Sequence, residues 1–296
     1  MKIRIWGARG SIPTPSTTDF VTSRYGGNTT CVSVEIPGRM VILDGGSGLR
    51  NLGLALVERG VPVKADFFFS HVHWDHIQGF PFFVPSFMKG NEFTLHGAVH
   101  ERETGVVGSV LENALRGQQR SLNFPIQLAD MGAKLVFEEV GAGATVKLAG
   151  ISSHLTIRTV ELNHPGGCFG FRIEEHGTAG ESGSFVFATD TEHFAEVNPK
   201  LQDLARDGDV LLYDAQYTED EYDGKKGMLR KGWGHSTWRH GLREAAKAKC
   251  KRLLLTHHDP MHDDWTIARI ESDARREGAK IGVAVAAAYE GLEFEL

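Results

Sequence analysis

Residues 67–79 read FFFSHVHWDHIQG: three phenylalanines suited to a buried strand, then His71, His73, Asp75 and His76 within six positions. Alternate residues of an extended segment point to the same side, so His71 and His73 can face one ion. Asp75 and His76, just past the turn, can reach a second. Imidazole and carboxylate are donors that borderline divalent metals prefer. A solvated histidine cluster is the competing explanation, and four such groups directly behind an apolar strand argue against it.

Outward from this segment, strand-like runs bounded by Gly, Pro, Asn or Asp recur at residues 2–6, 32–36, 40–43, 66–70 and 93–95. The second half repeats them at 155–162, 169–173, 185–189, 210–213, 252–256 and 281–285. Helices fit 47–59, with Ser47 as N-cap and Gly60 as stop, and also 237–249 and 263–276. Residues 174–184, rich in Gly, Glu and Ser, read as a hairpin loop. Two halves of mixed strands and helices, with no linker between them, predict one domain over residues 1–296. Its expected α/β architecture is an αββα sandwich: two mixed sheets face to face, with helices outside.

With 41% hydrophobic and 24% charged residues, the composition is that of an ordinary globular protein. No run approaches the roughly 18 apolar residues of a membrane span. The opening MKIRIWG lacks the apolar stretch of a secretion signal, so cytoplasmic residence and no membrane partner are expected. Cys31, Cys168 and Cys250 are widely spaced with no CxxC pair, which predicts reduced, partly buried thiols rather than a disulfide framework or a cysteine metal site. A formal charge of −6 gives no general attraction for polyanions, so nucleic-acid contact would need a local basic patch.

The HxHxDH run at 71–76 resembles the hallmark of the metallo-β-lactamase superfamily, and the resemblance extends over nearly the whole chain. VILDGGSG with Asp44, ELNHPGGCFGFRI with His164, FVFATDT with Asp190 and LLLTHHDP with His257 each look like a further motif of that family. Each falls at the end of a strand drawn above, where open sheets gather their ligands. The resemblance implies that His71, His73 and His164 hold one ion, that Asp75, His76 and His257 hold another, and that Asp190 bridges them. Asp44 is then expected to orient a ligand histidine rather than bind metal. Read singly, His164 can instead cap the turn at Pro165, Asp190 can form a strand-end turn, and His257 competes with His258. Two divalent ions are implied, Zn²⁺ first with Mn²⁺ or Fe as alternatives, sharing a hydroxide that attacks the substrate. A β-lactamase proper is not expected, because those enzymes are exported and lack an aspartate bridge.

The segment GWGHSTWRH at 232–240 is similar to the HST motif of the superfamily's phosphodiesterase branch, which includes tRNA 3′-end-processing endonucleases and a phosphonate-pathway phosphodiesterase. By that resemblance His235 assists the departing alkoxide, a poor leaving group without a proton donor. Asp214, ending VLLYD, either orients His235 or forms a strand-end turn. Asp75 is counted with these two among the catalytic groups as well as among the ligands. Lys225, Lys226, Arg230, Lys231 and Arg239 surround His235 and could receive a phosphate.

Only 26 residues separate His164 from Asp190, too few for the long arm with which tRNA-processing relatives grip tRNA. A small phosphodiester, a 3′,5′-cyclic nucleotide first, is therefore expected ahead of tRNA. The alternative from another class is a metal-containing binding protein without catalysis, and the resemblance also allows a homodimer. Phe80, Phe82, Phe83 and Phe87 are either core or a wall for a stacked base. Arg9 or Asn28, in glycine loops that resemble the same subgroup, is expected to approach the substrate.

Overall fold

The computed structural model describes residues 1–99, 109–177 and 180–296. The first half contains β1 (Lys2–Gly7), β2 (Cys31–Ile36), β3 (Arg39–Leu43), α1 (Leu49–Glu58), β4 (Lys64–Phe69), α2 (Trp74–Ile77), β5 (Glu92–Ala98), α3 (Val110–Gln118) and β6 (Lys134–Val140). The second contains β7 (Thr145–Ala149), β8 (Ser153–Leu162), β9 (Cys168–Gly177), β10 (Gly180–Ala188), α4 (Pro199–Ala205), β11 (Val210–Asp214), α5 (Glu219–Tyr222), α6 (Trp238–Ala248), β12 (Arg252–Thr256), α7 (Asp264–Lys280), β13 (Ala284–Ala287) and β14 (Glu293–Glu295).

Two seven-stranded sheets result, in the orders β14-β1-β2-β3-β4-β5-β6 and β13-β12-β11-β10-β9-β8-β7. Both are mixed: β3 to β6 run parallel in one and β10 to β13 in the other, with antiparallel strands completing each. The strand period of two sorts their side chains. Val41, Leu43 and Phe68 meet Phe171, Phe185 and Leu212 between the sheets. Phe67 and Phe69 point the other way, onto Leu52 and Leu56 of α1 and Leu115 of α3. On the far side, Val186, Leu211 and Leu253 pack against Leu201 of α4, Leu242 of α6 and Ile270 of α7. The architecture is the expected αββα sandwich.

Several boundaries depart from the sequence reading. Ser47 does not cap α1: its hydroxyl donates to Asn28 and accepts from the Thr29 amide, and Gly48 occupies the N-cap position. Residues 174–177 and 180–184 belong to the β9–β10 ladder rather than to a loop, and 178–179 lie outside the described residues. Helix α7 continues to Lys280, so the following strand starts three residues later than its hydrophobicity suggested, after a turn at Gly282 with φ of 76°. All three cysteines are buried and free. Among the described residues no helix is long and apolar enough to cross a membrane.

Phe67 is fully buried, with the rings of Phe69, Phe80, Phe83 and Phe93 at 5.5–6.0 Å. Phe82 is 56% exposed. Urea denaturation is expected to show Phe67→Ala destabilised by about 3–5 kcal/mol, whereas Phe82→Ala loses less than about 1 kcal/mol.

Candidate metal centre and active site

The ends of β3, β4, β8, β10, β11 and β12 meet at one rim of the sandwich. There the structure brings together all seven side chains singled out as ligands. Donor atoms of His71, His73 and His164 form one group within 4.8 Å of one another, and those of Asp75, His76, Asp190 and His257 form a second. Asp190 links the two groups. Its Oδ1 lies 3.2 Å from Nε2 of both His76 and His257, while its Oδ2 lies 3.6 Å from Nε2 of His71 and 3.9 Å from that of His164.

In His71, His76, His164 and His257 the outer nitrogen is held by a neighbour, which orients the ring and turns its other nitrogen inward. His76 Nδ1 lies 2.7 Å from Asp44, and Asp44 also accepts from the amide and hydroxyl of Ser70. His71 Nδ1 pairs with the Ser70 hydroxyl at 3.0 Å, and His257 Nδ1 with Gln216 Oε1 at 2.8 Å. His164 Nδ1 meets the Gly234 carbonyl at 2.9 Å. Asp75 Oδ2 accepts from the Ser11 amide at 2.8 Å.

Local backbone geometry is part of the construction. Asp44, Asp190 and His257 end their strands with φ of 58°, 50° and 60°, a left-handed conformation that Asp and His tolerate better than most side chains. A Cβ on Gly10 would lie 2.3 Å from the His257 ring, and one on Gly234 would lie 2.3 Å from His164 Nδ1. Only glycine allows those loops to press so closely on the two imidazoles.

The electrostatics fit a cation. Nε2 of His71 and of His76 is buried and makes no hydrogen bond. Burial holds His71 well below its usual range and His164 down at about 4, so both are neutral donors. Burial also works against charge on His76 and His257, but Asp190 and its neighbouring carboxylates outweigh it. They hold His76 well above the usual range and His257 at about 9. Without metal, these two rings carry the protons that balance the carboxylates, and a bound cation would displace them.

Beside this centre, His235 Nδ1 lies 2.8 Å from Asp214 Oδ2, and the His235 ring stacks 4.8 Å from that of His257. Asp214 also accepts from the amides of Thr191, Gln216 and Ser236. His258, the rival of His257, points away to the Ala288 carbonyl, and burial keeps it neutral with a pKa of about 3.

Other expectations are corrected. Arg9 is fully buried and donates to the carbonyls of Gly26, Asp259 and His262, so it ties loops together rather than facing substrate. Asn28 is engaged by Glu290 and Ser47. The basic patch is largely neutralised: Lys225 and Lys226 pair with Asp220, Arg230 with Asp259, and Arg239 with Glu219. Of the two readings of the phenylalanine run, Phe80 and Phe83 take the core one, while Phe82 is exposed.

Sequence reasoning missed Ser11, Gln216 and Glu192. Buried Glu192 accepts from the amides of Gly232 and Gly234 and from the Tyr222 hydroxyl, fixing the loop that carries both the Gly234 carbonyl and His235. Its place two residues after Asp190 was the only available signal. In a chelator-competition titration, Asp44→Asn is expected to weaken metal binding about 10- to 100-fold, because His76 loses its charged anchor.

Comparison with known proteins places this geometry in context. Ribonuclease Z of Bacillus subtilis is 25% identical over 278 aligned positions, covering 76% of this chain and 79% of that protein. Two solved structures share the fold. A diphosphatase from the PhnP family has a TM-score of 0.67 at 19% identity, covering 100% of this chain and 97% of that one. Human tRNase Z, short form, has a TM-score of 0.62 at 17% identity, covering 99% and 98%. Residues 39–258, which span all seven of the converging side chains, match the model described as the beta-lactamase superfamily domain, and the chain belongs to that family.

Proposed function

We propose that this protein hydrolyses a phosphodiester bond, with the two donor groups holding divalent cations and His235 protonating the oxygen that leaves. The observation that carries this reading is the 2.8 Å pairing of half-buried His235 with buried Asp214, set with the His235 ring stacked 4.8 Å from metal-competent His257. When bound, such cations activate water and offset the negative charge that develops at phosphorus. The rest falls to the chain itself. Asp214 takes the Nδ1–H of His235, fixing the ring and stabilising its protonated form, so that Nε2 carries the proton to be delivered. Three backbone amides hold Asp214 in turn. Ser11 fixes Asp75, and the Gly234 carbonyl fixes His164, so the donors do not drift as charge builds up.

Among phosphodiesters, precursor tRNA near its 3′ end now ranks ahead of a cyclic nucleotide, reversing the order expected from the sequence. Support comes from the similarity to ribonuclease Z and to tRNase Z. A small phosphodiester is the second reading. It is favoured by the plain β9–β10 ladder between His164 and Asp190, whose strands are separated only by residues 178–179. Zn²⁺ is the first choice of metal for nitrogen-rich donor sets, with Mn²⁺ or Fe next.

Metal-loaded protein is expected to cleave bis(p-nitrophenyl) phosphate and to cut precursor tRNA faster than 3′,5′-cyclic AMP. His235→Ala should lower kcat roughly 10²- to 10⁴-fold with metal content unchanged. Cleavage of a thioester or lactone with no phosphodiester turnover rejects the proposal, and full activity in His235→Ala removes that residue's role.

A further inference from the structure

Beside His235 the surface opens into a pocket of about 360 Å³, within the size range of small-molecule sites. Ser11, Gln216 and His235 supply polar groups to it. Its rim is different: Trp233 is 47% exposed and Met261 is 73% exposed. Arg230, which also lines the pocket, is fixed in place, its guanidinium 4.7 Å above the Tyr217 ring and 2.9 Å from Asp259. With its charge met by Asp259, Arg230 is a poor general trap for anions. It remains a rigid planar donor, able to hydrogen-bond the polar edge of a flat ligand. An exposed indole beside a polar hollow supplies the matching flat apolar face. The phenylalanines after the metal loop do not offer one here, since Phe80 and Phe83 are core and the exposed Phe82 does not line this pocket.

We propose that this pocket receives the nucleoside on the leaving side of the scissile phosphate, its base stacked on Trp233 and its edge bonded by Arg230. The assignment of side rests on the phosphodiesterase reading. In hydrolysis a water oxygen joins phosphorus, the bond from phosphorus to the leaving oxygen breaks, and that oxygen takes a proton. His235, which delivers the proton, forms part of the pocket wall, so the sugar and base attached to that oxygen lie here. In a linear phosphodiester the phosphate stays with the other product; in a cyclic one it remains on the same molecule through its second ester oxygen. The leaving oxygen itself carries no phosphate after cleavage, which fits an Arg230 whose charge is already met by Asp259.

Adenosine and inorganic phosphate separate the two halves of the site. In equilibrium dialysis with metal-loaded protein, Trp233→Ala is expected to weaken adenosine binding about tenfold or more, by loss of base stacking. Trp233→Phe should retain most of it, and phosphate binding should be equal in all three proteins. Failure of the wild type to retain adenosine, or equal retention by Trp233→Ala, overturns the subsite. Adenosine retained through Trp233 in a protein that cleaves no phosphodiester would keep the subsite and sink the hydrolase reading. Cleavage of phosphodiesters with binding indifferent to Trp233 would do the reverse.

Discussion

Four carboxylates, Asp44, Asp75, Asp190 and Asp214, are buried at one rim of the sandwich, and none can stay charged there without partners. An ionised carboxylate withdrawn from water is strongly unfavourable unless cations or N–H groups surround it. The rim is built to meet that demand. Asp214 collects three backbone amides and one imidazole, Asp44 a serine and one imidazole, and Asp190 sits among four imidazoles. The loops, glycines and left-handed strand ends follow from bringing these partners within reach.

That constraint explains the left-handed backbone at three residues of the site. A strand that turns sharply at its last residue can aim that side chain across the rim instead of along the sheet. Asp44, Asp190 and His257 do so, at a cost of order 1–3 kcal/mol each that the surrounding hydrogen bonds over-determine. The Thr189 hydroxyl, donating to Asp190 Oδ1 at 2.7 Å, is one such restraint.

What the sequence made legible was whatever is local. The HxHxDH run declares itself because four donors fall within one turn of an apolar strand, and the remote donors could be placed because each ends a hydrophobic run. The sandwich followed from the strand-like apolar runs, bounded by turn residues, in β2 to β4 and β8 to β12. Elements with weaker patterns went unread: β6 and β7 are half-exposed edge strands, and α4 has only seven residues, although Asn198 before Pro199 was a usable helix-start signal. Groups acting through the backbone, such as the Ser11 amide and the Gly234 carbonyl, leave no trace in side-chain chemistry. Phe80–Phe87 was ambiguous because core and stacking wall require the same residues.

Each donor group draws on both halves of the molecule. His71 and His73 follow β4 of one sheet and His164 follows β8 of the other, while Asp75 and His76 face Asp190 and His257 across the same divide. An ion in either position would therefore act as a rivet between the sheets, clamping two layers that otherwise adhere through apolar side chains and a few polar contacts such as the Phe169 amide to the Ser70 carbonyl. Loading and thermal endurance become one property, and stripping the ions would loosen the sandwich from the rim inward.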